Sequence, residues 1–280
     1  MLTVVLATST AALFGGADFL GGFASRRDSA FVVTASAHIL GVFVLSIAAT
    51  LFPATLVTTP DLTFGAMAGV SGGLGVAALY AGLAAGRMSV VAPITAAIAG
   101  SVPAVYDFAT GGTVSRLGGC GLVLALAAIV LVSTATHPDD LHGLPPRALL
   151  LAVAAGFGFA GSFISFSLTG SESGLWPVVS ARVISAVLLG AIAWLRYRRV
   201  LASYGVRRIT AGVGILDAAA NITMIAAIRL GPLAVASVLG SLYPVTTVLL
   251  AVILLKERVV GVQRVGVAIA FVAIVATAFA

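Results

Sequence analysis

Ten long apolar runs separated by short polar gaps make up nearly the whole chain. They cover approximately residues 3–22, 31–51, 64–85, 90–110 and 117–135, then 148–169, 174–195, 210–228, 232–255 and 260–278. A helix needs about 20 apolar residues to cross the hydrocarbon of a bilayer, and each run approaches or exceeds that length. The alternating pattern of a membrane β-barrel is absent. Without water inside the bilayer, backbone N–H and C=O groups must bond within the segment, which leaves helices. The pattern predicts an all-α integral membrane protein with ten transmembrane helices.

Composition closes off the alternatives. Of the 280 residues, 60% are apolar and 9% charged, with mean hydropathy +1.18. Soluble domains carry roughly 25% charged residues, so this chain cannot clothe a water-exposed globule. A soluble enzyme is excluded, and no length remains for a separate soluble domain. The net charge of +6 and pI near 10.2 would suit an anionic partner, but the basic residues sit in the gaps between runs. There they face lipid headgroups, and no basic patch interleaved with aromatics marks a nucleic-acid surface. The lone Cys120 excludes an intrachain disulfide. The first run lacks a basic leader and a cleavage site, and reads as a retained helix.

The most polar connector spans 137–147, rich in proline, aspartate and histidine, and divides the chain into residues 1–136 and 148–280 with five runs each. The halves resemble each other at a nearly constant offset. Shifts of 144 place Phe19 on Phe163 and His38 on Arg182. Shifts of 142, 141 and 145 align Ala85-Gly86-Arg87 with Ala227-Ile228-Arg229, Pro103 with Pro244, and Ala128-Ile129-Val130 with Ala273-Ile274-Val275. Five crossings per half is an odd number, so the second half must run through the membrane in the opposite sense. Two inverted five-helix repeats are expected, with a binding site near the midplane at their interface.

The segment Arg229-Leu230-Gly231-Pro232-Leu233-Ala234-Val235-Ala236-Ser237, followed by Leu242-Tyr243-Pro244-Val245, Leu254-Leu255-Lys256-Glu257-Arg258 and Val265-Gly266-Val267, resembles the carboxyl-terminal repeat of the EamA family in the drug/metabolite transporter superfamily. The first half departs from that pattern, with Gly111-Gly112-Thr113-Val114-Ser115-Arg116 where a Glu-Arg pair is expected. The resemblance implies export or exchange of small metabolites, amino acids or drugs through ten helices. It often goes with both termini inside the cell. The charges point the other way: gaps after odd-numbered runs hold twelve Lys and Arg, counting Arg264 at the edge of the last run, and those after even-numbered runs two. By the positive-inside rule the odd-numbered loops are cytoplasmic and both termini lie outside a cytoplasmic membrane.

Apart from Arg264 near the start of the last run, five acidic, basic or histidine side chains fall inside the runs, and each needs a partner or a polar cavity. His38, Arg182 and Asp217 lie deepest. Arg182 could hold a substrate carboxylate or phosphate bidentately, or pair permanently with Asp217. His38 could titrate near neutral pH, or pack as a neutral hydrogen-bonded histidine. Asp217 and Asn221, spaced i and i+4, share a helix face and could take a substrate amine. Asp18, a candidate for coupling, is expected to form a boundary ion pair with Arg26 or Arg27. Asp107, a candidate gate, is expected at a solvated helix end. Tyr80, Tyr106, Trp176 and Tyr243 could stack on a planar substrate. Trp176 and Tyr106 fit an interfacial belt better, whereas Tyr243 is the better candidate for lining a site.

Pro93, Pro103 and Pro244 should kink helices and serve as hinges or static bends. Gly65, Gly69 and Gly73 form two GxxxG steps for close helix contact, within the chain or in a homodimer, although a monomer suffices. His137, Asp139, Asp140 and His142 carry ligand chemistry but suit a solvated linker, so neither a metal nor another cofactor is expected. The reading is an alternating-access exporter of small molecules rather than an enzyme. A membrane-embedded enzyme acting on lipid-linked phosphate and a non-transporting receptor or scaffold are the alternatives.

Overall fold

A computed structural model describes residues 1–52, 54–85, 88–132, 146–255 and 261–279. It is 85% helical, with no strand among the described residues. Most of the 137–147 linker with its metal-ligand candidates, the Lys256-Glu257-Arg258 cluster and Gly86-Arg87 lie outside the described residues. Five helices precede the linker: α1 (Leu2–Ser25), α2 (Ala30–Leu51), α3 (Thr59–Ala85), α4 (Met88–Ala109) and α5 (Arg116–Val132). Six follow it: α6 (Pro146–Ser167), α7 (Trp176–Tyr197), α8 (Arg207–Leu230), α9 (Leu233–Gly240), α10 (Tyr243–Leu255) and α11 (Gly261–Ala278). Seven are long and apolar enough to cross a membrane, namely α1, α2, α3, the 91–109 stretch of α4, α6, α7 and α8. The others are shorter apolar helices.

The bundle's outer surface is apolar. Phe43, Ile47, Val123, Val187, Leu195, Ile253 and Phe271 are all more than 60% exposed, a placement that lipid rewards and water would penalise. Alanine dominates the interior, and Asp18, His38, Arg182 and Asp217 are buried there. Among apolar side chains and apolar lipid, helices associate through close packing and polar contacts.

The ninth apolar run is not one kinked helix. It divides into α9 and α10 at Ser241 and Leu242, whose N–H groups bond back to Ser237 and Leu239 carbonyls at 3.0 and 3.1 Å. Pro244 therefore stands in the first turn of α10 rather than in mid-helix. Its missing N–H breaks no helical bond there, because the first-turn N–H groups have no intrahelical acceptor. Pro93 and Pro103 do lie inside α4.

Chain neighbours are not the main packing partners. Helix α3 packs on α6 and α7, α1 on α8, α9 and α10, α2 on α7 and α8, α4 on α6 and α9, and α5 on α11. The two sides of the linker are thereby interleaved. The glycine ladder makes one of these seams possible. A Cβ on Gly65 would strike the Pro177 carbonyl, one on Gly69 the Ala181 backbone, and one on Gly73 would come within 2.7 Å of Ser185 Cβ. Three glycines at four-residue spacing meet three α7 residues at the same spacing, so the GxxxG steps pack within the chain.

Gly69→Leu should force α3 and α7 apart, costing about 1–3 kcal/mol or more as overpacking does. Gly119→Ala, with no neighbouring atom within 4 Å of the added Cβ, should leave stability unchanged or slightly raised. Thermal unfolding in detergent distinguishes the two. Equal melting temperatures for both variants would contradict the close-packed seam.

Candidate functional site

The deepest charges come together. Asp217 lies near the middle of α8, ten residues or about 15 Å from its start at 1.5 Å per residue. Arg182 lies about 9 Å into α7 on the same arithmetic, and its long side chain reaches across. Arg182 Nη2 and Asp217 Oδ2 are 2.6 Å apart, each side chain 7% exposed. The pairing that the sequence left open is thus made. Either charge alone in hydrocarbon would cost several kcal/mol; together, each supplies the other's counter-charge. Gly41 on α2 makes room for the arginine stem, since a Cβ there would sit 3.1 Å from Arg182 Cδ.

Around the pair the partners are partly spent. Asn221 Nδ2 donates to the Asp217 carbonyl at 2.8 Å and lies 3.4 Å from Oδ1, one helical turn away as its spacing predicted. His38 Nδ1 and Ser185 Oγ are hydrogen-bonded at 2.9 Å, and Ser185 Oγ also donates to the Arg182 carbonyl at 3.1 Å. His38 Nε2 and Arg182 Nε are buried without partners among the described residues. His38, Ser162, Arg182, Ser185, Asp217 and Asn221 share a cavity of about 30 Å³. Phe14, Phe159, Phe163 and Phe166 form its apolar wall. A water needs about 10–15 Å³ on this measure, so the cavity holds about two.

Tyr80 and Tyr243 stand elsewhere. Tyr80 is packed against Gly21 with its hydroxyl 3.4 Å from the Ala17 carbonyl, and Tyr243 donates to the Ala92 carbonyl at 3.2 Å. Both are buried and neither lines the cavity. Asp18 does not form a boundary ion pair: it is buried within α1, while Arg27 lies over the Phe23 ring at 4.7 Å. Its position seven residues before the helix end keeps it out of reach of the interfacial arginines. Asp107 stands two residues before the end of α4, half-buried among exposed neighbours, and it has a partner there. Its Oδ2 accepts the Ala234 N–H at 3.0 Å, satisfying a first-turn donor of α9 and complementing that helix's positive end. Trp176 is 38% exposed at the start of α7, as an interfacial residue would be, and Tyr106 is half-buried.

Two polar clamps escaped the sequence reading. At one end, Arg199 pairs with Asp28, and Asp28 also accepts the N–H groups of Ser203 at 2.9 Å and Ser29 at 2.7 Å. Ser36 Oγ donates to the Val200 carbonyl and accepts from Ala202 N–H. At the other end, Arg229 donates to Gly174 O, Gly170 O and Ser173 Oγ at 2.6–3.0 Å, while Asp61 accepts the Gly170 N–H at 2.7 Å. Both clamps join segments more than fifty residues apart. The only sequence signal was an acid or base at a helix end, which is what any solvated boundary shows. Among the described residues, no group of three His, Cys, Asp or Glu side chains gathers as a metal site.

These features define a multi-pass helical membrane protein with a buried ion pair lining a small cavity that has a largely apolar wall. Residues 146–279 match the model of the EamA-like transporter family, part of the drug/metabolite transporter superfamily. No curated protein matches the chain. A protein of known crystal structure shares the fold at TM-score 0.71 and 17% identity, over 97% of this chain and 96% of the other.

Arg182→Leu should destabilise the protein by about 3–5 kcal/mol by stranding Asp217, whereas Arg182→Leu with Asp217→Leu should lose much less. Thermal unfolding of the two variants tests this, and equal losses would contradict the pairing.

A second expectation concerns pH. Burial opposes ionisation of Asp28, but the Ser203 and Ser29 amides and the Arg199 guanidinium outweigh it and hold the carboxyl below its ordinary value. The stabilisation is therefore full above the unfolded-state value of about 3.9 and is lost as pH falls through the lower folded value. The melting temperature should fall more steeply with acidification in wild type than in Asp28→Asn. Parallel curves would dissociate Asp28 from acid stability.

Proposed function

We propose that the protein is a secondary transporter that exports small metabolites, such as amino acids or drugs, across the cytoplasmic membrane by alternating access. The observation that carries the reading is the Arg182–Asp217 pair lining a cavity inside an apolar bundle. An arginine and an aspartate offer complementary charges to a solute bearing a carboxylate, an amine or both, with Asn221 and His38 beside them. The EamA match over residues 146–279 supports the same class, since that family consists of transporters.

The proposed architecture is ten crossings in two inverted repeats, residues 1–136 and 148–280, with α9 and α10 together forming one crossing. Its support is the packing. Exchanging α1 with α6, α2 with α7, α3 with α8, α4 with α9–α10 and α5 with α11 carries the α3–α6 contact onto α8–α1, α3–α7 onto α8–α2, and α4–α6 onto α9–α10 against α1. The α2–α7, α4–α9 and α5–α11 contacts map onto themselves. Such an arrangement supplies two sets of helices that can rock about a central site. The excess of Lys and Arg in the odd-numbered loops supports placing the Asp28 end in the cytoplasm.

Size supports a moving mechanism. Sites for small molecules occupy about 300–1,000 Å³, far more than the cavity of about 30 Å³. Admitting a solute requires the helices to separate at one end, which means opening either the Asp28–Arg199 clamp or the Asp61–Arg229 clamp. On this reading the described conformation is occluded and unloaded.

In proteoliposomes loaded with a mixture of radiolabelled amino acids, wild-type protein should accelerate efflux over protein-free vesicles. Arg182→Ala and Asp217→Asn should each reduce the rate at least about tenfold, equivalent to about 1.4 kcal/mol. Efflux unchanged in both variants would remove the pair from the solute site.

A further inference from the structure

His38 is left with one nitrogen unspent. The residue is 2% exposed, and its Nδ1 lies 2.9 Å from Ser185 Oγ. That hydroxyl has a single proton, which it donates to the Arg182 carbonyl at 3.1 Å, an oxygen that only accepts. Ser185 Oγ must therefore accept from the ring, which puts the imidazole proton on Nδ1 and leaves Nε2 a bare lone pair. A second proton on the ring would add a cation to a cavity whose carboxylate, Asp217, already faces Arg182.

Nε2 has no partner among the described residues, and neither has Arg182 Nε. The two lie along one face of α2 without serving each other: a Cβ on Gly41, three residues beyond His38, would sit 3.4 Å from Arg182 Nε. Both side chains line the cavity. An unpaired buried polar atom is costly, and here one acceptor and one donor go unpaired at the same place. Together they form a template for a solute group that carries the complementary donor and acceptor. Phe159, Phe163 and Phe166 of α6, with Phe14 of α1, give the rest of such a solute an apolar wall.

We propose that His38 is a specificity-determining residue of this cavity: its bare Nε2, held in that form by Ser185, selects solutes with an N–H or O–H donor beside the acceptor that Arg182 Nε–H takes. The inference deepens the transport reading and rests on it. It narrows the solute to small acids with an amino or hydroxyl group next to the carboxylate and an apolar remainder. The plain acid of the same shape is rejected, because it would strand the histidine lone pair.

The test uses the purified full-length protein in detergent and begins with the tautomer. Nitrogen NMR of isotopically labelled histidine should show, at neutral pH, one ring protonated at Nδ1 and bare at Nε2. The chain has three histidines, and loss of that signal in His38→Gln assigns it. A His38 ring protonated at Nε2 overturns the proposal. Melting-temperature titrations then give dissociation constants for leucine, the matching hydroxy acid and the matching plain acid, 4-methylpentanoate. Wild type should bind the first two at least about tenfold more tightly than the third. His38→Leu should bind all three alike, and His38→Gln, which restores an acceptor, should recover part of the preference. Should His38→Leu fail to fold, Ser185→Ala takes its place: freed from the hydroxyl, the ring adopts the other tautomer and the preference should fall. Equal binding of all three by wild type, binding of none, or an undiminished preference in the tested variant overturns the proposal. If the preference holds and vesicles show no flux, the transport reading fails alone, since binding moves no solute.

Discussion

A charge inside hydrocarbon must find an opposite charge or a wet surface, and the rest of this structure is organised around that requirement. Arg182 and Asp217 meet it jointly at 2.6 Å, each leaving a small exposed fraction in a shared cavity. The pair joins α7 to α8 in the bundle interior, and Gly41 on α2 supplies the groove through which the arginine passes. Asn221 and Ser185 bond the local backbone and fix the two side chains' surroundings. A buried pair of this kind contributes geometry more than net stability, because desolvation offsets much of the attraction.

Close packing makes such an interior possible. Gly65, Gly69 and Gly73 let α3 settle on the α7 backbone, and Gly214 approaches the Ala37 carbonyl of α2 in the same way. Two helices that touch through backbone atoms have few side chains to reorganise when they slide. At the bundle ends, side-chain-to-backbone bonds take over: Asp28 and Ser36 hold the 199–203 segment, and Asp61 and Arg229 hold the 170–174 turn. Of these groups the Arg199 side chain is 44% exposed, while Asp28 and Asp61 are buried beneath their partners.

Much was legible from residue order. The apolar runs marked the helices because a segment in lipid must satisfy its own backbone, leaving little room for tertiary context to override them. The i, i+4 relation of Asp217 and Asn221 and the glycine ladder on α3 were likewise periodic properties of a single helix. Less legible was the ninth run. Pro244 can end, start or bend a helix according to what surrounds it, and here a two-residue break places it at a helix start. Asp18 was misjudged, and the partner of Asp107 was not foreseen, because distance along one helix says nothing of its azimuth. The first faces the interior, and the second meets the amino-terminal turn of α9.

Sequence alone thus determined the solvent, the helical character and which side chains were too polar for their depth, since hydropathy and helical period are local quantities. Tertiary structure decided the partners: that Arg182 takes Asp217, that Asp28 takes Arg199, that Tyr80 and Tyr243 leave the cavity, and that Asp18 is buried away from the interfacial arginines. Those outcomes depend on how helices far apart in the chain rotate and pack against each other. That rotation is set by many small side-chain contacts acting together, and no single segment of sequence contains them.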